Sequence, residues 1–288
     1  MMLCGIDEAR RGPIIGPMVM CAAVVNESRH DELVKINPKD SKLLTESQRE
    51  ILYEILVKFL DNYKVIIVNP EEIDRAVERK DNLNLNFLEA QKVKIMLDEI
   101  NPDKAIIDCP SNNIKSYKSY LAEILDNKKI ELQLEHKAER HPIVAAASII
   151  AKVLGDLELE KIKKKIGVDF GSGYLSDPKT VKFLDENYDK HPEIFRKSWF
   201  PYQQIVNKKF QKRLDDFTRF LKEEPKESPI LKKLEKLEDF GYKFETPKSA
   251  HELAIMKGAC TIILYKSGKV LIQGNEEAKT SVKKLLGV

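Results

Sequence analysis

The chain has 288 residues, of which 42% are hydrophobic and 33% charged; this supports a sizeable core and excludes a disordered chain, a collagen-like fibre and a low-complexity scaffold. No apolar run approaches the roughly 20 residues of a membrane span, so no membrane partner is expected. The net charge of +3 hides an asymmetry: residues 196–288 hold 20 Lys and Arg against 12 Asp and Glu, or +8, which leaves −5 on residues 1–195. A basic tail suits a polyanion and an acidic body suits cations, although solvated helix faces give the same sums.

In chain order, residues 2–7 and 18–25 are short apolar runs separated by Gly12, Pro13, Gly16 and Pro17, which predicts a hairpin. Residues 64–68, 104–108 and 130–134 are further strand candidates. Between the last four runs lie helical patterns, clearest over 83–100, where Phe87, Leu88, Ala90, Val93, Met96, Leu97 and Ile100 share one broad face. Pro142 opens a long helix to about residue 164, and Asp177-Pro178 opens another over 179–188. Alternating strands and helices predict an α/β domain with a mixed sheet flanked by helices. Residues 1–207 form this unit, and the charged stretch 208–229 reads as a linker. A smaller α+β unit follows over 230–288, with a short helix at 230–240, a hairpin of 259–265 and 269–273 around Lys266-Ser267-Gly268, and a closing helix at 275–286. There is no internal repeat. An acid at position 7 comes too early for a signal peptide. Cys4, Cys21, Cys109 and Cys260 lie far apart without a C-x-x-C pair, so no disulfide framework is expected and a reducing cytoplasm is.

The chemistry starts at Gly5-Ile6-Asp7-Glu8-Ala9-Arg10-Arg11-Gly12-Pro13. Adjacent acids in mid-strand point to opposite faces, but at a strand end both can approach one point. Carboxylates for hard cations beside arginines for phosphate are ingredients of metal-dependent phosphoryl transfer. Alone, the same residues describe a surface salt-bridge cluster. Asp108 ends the run Ala105-Ile106-Ile107, and ligands of α/β sheets gather beyond strand ends; an Asp opening a turn before Pro110 is the bland reading. From Glu135 to Lys152, the small residues Ala145 to Ser148 let a helix approach a neighbouring backbone closely. Asp156, one turn beyond Lys152, could supply another carboxylate. His136 and His141 are five apart with no cysteine to help, which argues against zinc.

These residues carry a resemblance to type 2 ribonuclease H, the ribonuclease HII group, over about residues 1–205. The family's opening G-I-D-E-A-G-R-G-P is similar to Gly5–Pro13 here, with arginine for glycine at position 10. Further elements follow in order: Lys39-Asp40-Ser41-Lys42; Asp108; His136-Lys137-Ala138 through Ala146-Ala147-Ser148-Ile149-Ile150-Ala151-Lys152; Gly171-Ser172-Gly173-Tyr174-Leu175-Ser176-Asp177-Pro178-Lys179-Thr180; and Arg196-Lys197-Ser198-Trp199. The resemblance implies an endonuclease that hydrolyses the RNA strand of RNA–DNA hybrids, leaving 5′-phosphate and 3′-hydroxyl ends. It implies two divalent ions, Mg2+ or Mn2+, held by Asp7, Glu8, Asp108 and Asp156. Arg11, Gly12 and Tyr174 would line the minor groove where the 2′-hydroxyl is sensed, which is what can separate RNA from DNA, and Lys42 and Lys137 would hold phosphates.

Two departures from the family pattern stand out. Arg10 could add a phosphate contact, or it could pair with Glu8 and weaken a metal site. At 155–156, where the family has Arg-Asp, this chain has Gly155-Asp156. The C-terminal unit resembles the TATA-binding-protein-like domain of ribonuclease HIII, especially over residues 261–274, and implies phosphate contacts from Lys266 and Lys269. The expected protein is a monomeric nuclease acting on hybrids or on DNA with embedded ribonucleotides. The alternatives are a hybrid-binding protein impaired in catalysis and a substrate preference like that of ribonuclease HIII. A nucleotide-binding metabolic enzyme would need a G-x-G-x-x-G loop, which Gly5-Ile6-Asp7 does not begin.

Overall fold

The computed structural model describes residues 1–39, 41, 44–80, 83–223, 229–249 and 251–287. Two compact units emerge, Met1–Gln204 and Ile205–Val288. The first is built on strands β1 (Met2–Ala9), β2 (Met18–Asn26), β3 (Asn62–Val68), β4 (Lys104–Asp108) and β5 (Glu131–Glu135), in the sheet order β3-β2-β1-β4-β5. β1 and β2 form the expected antiparallel pair, β3 runs antiparallel to β2, and β4 and β5 run parallel to β1. The sheet is therefore mixed, and the carboxyl ends of β1, β4 and β5 share one edge.

Its helices are α1 (His30–Ile36), α2 (Glu46–Phe59), α3 (Pro70–Val77), α4 (Leu85–Ile100), α5 (Ile114–Ile124), α6 (Pro142–Ile166) and α7 (Pro178–Asn187). Both sheet faces are covered. Cys4 and Ile6 of β1 join Met20, Ala22 and Val24 of β2 against Val93, Met96 and Leu97 of α4 and Tyr117 and Leu121 of α5. The alternate residues Leu3, Val19, Cys21, Ala23 and Val25 pack against Ile143, Val144, Ala147 and Ile150 of α6, with Leu33 of α1 and Leu56 of α2. Burial on both faces is why β2 reads as an unbroken apolar run rather than an alternating one.

α6 positions the site. Pro142 occupies its first turn, as its sequence predicts, and Gly167 closes it in the left-handed conformation at φ 75°, a little beyond the expected end. Its first turn lies directly on β1: a Cβ added at Gly5 would fall 2.6 Å from the backbone nitrogen of Val144. Ala145, Ala146, Ala147 and Ser148 are all buried behind that approach.

The stretch read as a linker is helical as far as Glu223, within α8 (Phe200–Glu223); residues 224–228 lie outside the described ones. In the second unit, α9 (Pro229–Glu235) precedes the antiparallel sheet β6 (Lys243–Glu245), β7 (Glu252–Lys257), β8 (Cys260–Tyr265) and β9 (Val270–Gly274), and α10 (Glu276–Leu286) closes it. The β8–β9 hairpin and α10 match expectation, while β6 and β7 add two strands that the sequence did not mark. Leu234, Leu237, Tyr242, Met256, Ile262, Leu264, Val282 and Leu286 form a separate core. A small unit with its own sheet and core is the α+β module expected.

Candidate active site

β1 continues through Ala9, two residues beyond the expected end, so Asp7 and Glu8 both lie within the strand, opposite Cys21 and Met20 of β2. They leave opposite faces. Asp7 points to the α6 side, where Ser148 donates a hydrogen bond to it; burial and the neighbouring carboxylates of Asp108 and Glu139 push its carboxyl up to about 7. Ser148 Oγ also lies 3.0 Å from Ser41 Oγ, so the serine of the Lys39–Lys42 element supports the residue that supports Asp7. Glu8 lies on the side of Glu89 and Tyr117. Burial, then Asp7 and Glu89, hold its carboxyl well above the usual carboxylate range, against the opposing pull of Arg11.

Asp108 ends β4 at the same sheet edge, as expected, and accepts the backbone N–H of Ala138 at Oδ1 across 3.0 Å. That bond fixes the 3-10 turn Ala138–Arg140 between β5 and α6. The turn carries a carboxylate that sequence reasoning passed over. Oxygen atoms of Asp7, Asp108 and Glu139 all lie within 4.8 Å of one another. The available signal was positional: Glu139 follows a strand parallel to β4 and precedes a helix N-terminus, so it had to emerge at the edge where Asp108 lies.

Asp156, expected as a fourth ligand, lies outside that cluster. It sits on α6, where Lys152 Nζ reaches its Oδ1 at 2.6 Å and Arg10 lies 3.4 Å from the same atom. Arg10 itself departs from both outcomes the sequence left open. It takes a left-handed conformation at φ 59°, as a glycine position would require, but its side chain is only 1% exposed and pairs with Asp156 rather than Glu8. A buried guanidinium cannot reach a phosphate in solvent, and one paired with Asp156 does not neutralise Glu8.

Arg11 Nε donates to the buried Glu89 at 2.7 Å, and its Nη2 donates to Asn86 at 2.9 Å. Burial outweighs that ion pair, leaving the Glu89 carboxyl raised to about 7. The two arginines thus do form salt bridges, with Asp156 and Glu89 rather than with the acids beside them. Gly12 and Tyr174 do meet: a Cβ at position 12 would lie 3.8 Å from Cε1 of the tyrosine ring. The late Arg196–Trp199 element braces this turn. Arg196 is fully buried and donates to the carbonyl oxygens of Gly16 (3.1 Å), Arg11 and Arg10 (2.6 Å), and Trp199 Nε1 donates to that of Gly12 (3.3 Å). Burial, followed by repulsion from Arg10, lowers Arg196 to about 9.

Lys137 is exposed in the loop before Ala138, at φ 59°. Lys42 lies outside the described residues. His136 contacts the carbonyl of Cys109 and His141 the carboxylate of Glu135, so neither joins the carboxylate cluster. In the second unit, Lys266 and Lys269 are exposed at the β8–β9 turn.

Comparison with known proteins identifies the chain's family. Residues 4–201 match the family model for ribonuclease HII. Ribonuclease HII of Pyrococcus abyssi is 43% identical over 229 residues, covering 76% of this chain and 98% of the relative. A ribonuclease H2 structure from Pyrococcus horikoshii superposes with a TM-score of 0.65 at 41% identity, over 72% of this chain and 98% of that one. Bst ribonuclease HIII in complex with Mn2+ shares the fold, at a TM-score of 0.60 and 19% identity, over 72% of this chain and 70% of that one. By these likenesses the chain belongs to the ribonuclease HII family of ribonuclease H hydrolases.

Proposed function

We propose that the N-terminal unit hydrolyses the RNA strand of RNA–DNA hybrids with the help of two divalent ions, Mg2+ or Mn2+, leaving 5′-phosphate and 3′-hydroxyl ends. The observation that carries this reading is the convergence of Asp7, Asp108 and Glu139 within 4.8 Å at one sheet edge. The donor set fits the ions: all three offer oxygen, which suits hard octahedral cations and not zinc. The raised Asp7 carboxyl also fits, since a cation there would relieve the repulsion from Asp108 and Glu139.

Asp7, Asp108 and Glu139 would hold metal from the α6 side, and Glu8, in electrostatic reach of Asp7 and Asp108, would complete the set from the other. When bound, such ions lower the pKa of water and offset charge on the departing 3′ oxygen. Ser148 orients Asp7, and the Ala138 N–H holds Asp108. Arg196 and Trp199 fix the turn through Gly12, so that Gly12 and the Tyr174 ring present one surface to the sugar edge. Arg11 contributes by tying that turn to Glu89. Lys137, with Lys42, would take phosphates beside the site, and Lys266 and Lys269 would do so from the TATA-binding-protein-like C-terminal unit, without reading sequence.

The test is Asp7→Asn, assayed on a labelled hybrid with Mg2+ or Mn2+. Turnover should vanish while hybrid affinity survives, because affinity rests on basic and loop surfaces. Cleavage near the wild-type rate would sink the metal assignment. Failure of the wild type to cut with any divalent ion would favour a hybrid-binding protein instead.

A further inference from the structure

The stem of Arg10 crosses α6 at Gly155. A Cβ built at Gly155 would lie 2.8 Å from Arg10 Cδ and 3.1 Å from its Cγ, and one built at Gly173 would lie 2.9 Å from its Nη2. A glycine in mid-helix weakens the helix relative to alanine, so Gly155 needs a packing reason, and room for Arg10 supplies one. Beyond Gly155 the guanidinium donates to the carbonyl of Ser172 at 3.0 Å and that of Ile15 at 3.4 Å, and it stands 5.8 Å from the Tyr174 ring centroid. Its Nε has no hydrogen-bond partner among the described residues. A long cation has been buried with one donor unmet, in a backbone conformation that favours glycine.

We propose that Arg10 and Gly155 are an exchanged pair, and that Arg10 is a positioning residue for Tyr174. The pattern this chain resembles has glycine at 10 and arginine at 155, whereas here arginine stands at 10 and glycine at 155. Here the guanidinium comes from the end of β1, and it meets Asp156 of α6. From there it clamps the 172–174 loop onto the turn through Gly12. Its consequence for substrate rests on the hydrolysis proposed above, with Tyr174 and Gly12 meeting the sugar edge. The clamp itself does not.

Three full-length variants test this: Arg10→Gly, Gly155→Arg, and the two combined. Each is assayed for kcat and KM on duplex DNA with one embedded ribonucleotide, and for the fluorescence of the single tryptophan, Trp199, whose indole donates to the carbonyl of Gly12. Arg10→Gly should raise KM about tenfold with kcat within about twofold, and should shift Trp199 emission as the turn loosens. Gly155→Arg should fare worse, since its side chain enters space that Arg10 fills. The combined variant should return KM to within about threefold of wild type and restore the emission.

A combined variant no better than the sum of the two single changes would overturn the exchange. Arg10→Gly with unchanged KM and unchanged emission, whatever its Tm, would leave Arg10 as packing and refute the positioning role. If the wild type cuts no hybrid, the proposed hydrolysis fails, and the emission of the three variants still decides the clamp.

Discussion

The backbone N–H of Ala138 donates to Asp108 Oδ1 across 3.0 Å, and Glu139 is the next residue. The end of β4 and the turn before α6 are thereby locked together, so the two carboxylates share a frame. Glu139→Gln keeps the size and removes the charge. It should lower kcat by about 100-fold or more, the loss expected when one charged ligand of a metal centre is neutralised. Asp156→Asn, by contrast, should lower kcat less than about tenfold, because Asp156 is held by Lys152 and Arg10. Steady-state rates in saturating Mn2+ check both, and the reverse ranking would return the fourth ligand to Asp156.

Asp7 links the site to pH. In the metal-free protein its carboxyl is raised to about 7 from an ordinary value of 3.8. Between those values the folded state holds a proton that the unfolded state has released. The Asp7 contribution to the stability of the metal-free protein should therefore fall as pH rises from about 4 to about 7 and level off above. A divalent ion must displace that proton at low pH and need not at high pH, so its stabilising effect grows over the same interval. Thermal unfolding at pH 6 and pH 8, with and without Mn2+, should show the larger Tm rise at pH 8. An equal rise at both would separate Asp7 from metal binding.

Gly5→Ala tests the approach of α6 to β1. The added carbon would meet the backbone of Ile143 and Val144, the latter at 2.6 Å, and backbone cannot rotate away as a side chain can. The loss should be about 3 kcal/mol, at the upper end of the usual cost of overpacking. Urea unfolding measures it. A cost below about 1 kcal/mol would mean that α6 can slide without harm.

Much of the fold was legible because its signals are local. Residues 104–108 form a short apolar run, Pro142 marks a helix start, and Lys266-Ser267-Gly268 marks a hairpin, and all three appear where expected. β7 was missed because its buried run Leu253, Ala254, Ile255 and Met256 is short and has one β-branched residue among helix-favouring ones. The site was legible in its strand acids and opaque in its pairings. Arg10 and Asp156 are 146 residues apart, and nothing in the local pattern of either tells which partner the fold will bring. Glu139 sits in a turn, where periodicity is silent.

The second unit can be tested without removing it. Lys266→Glu with Lys269→Glu changes only exposed positions at the β8–β9 turn. If these lysines contact phosphates, hybrid affinity should fall, and the slope of log affinity against log salt should flatten by about 1 to 2. Equilibrium binding of the Asp7→Asn protein at several salt concentrations isolates the effect from cleavage. An unchanged slope would point the tail toward a protein contact.

The carbonyl oxygens of Arg10, Arg11 and Gly16 all end on the Arg196 guanidinium, and that of Gly12 ends on Trp199. In a trans peptide the N–H points opposite to the C=O. Drawing the Arg10 and Arg11 carbonyls inward therefore turns the N–H bonds of Arg11 and Gly12 outward. The turn shows the electropositive ends of its peptide dipoles to an approaching polyanion and hides the electronegative ends, as in the concave amide nests that receive anions elsewhere. One buried side chain thereby gives a stretch of backbone a polarity that no residue in it carries.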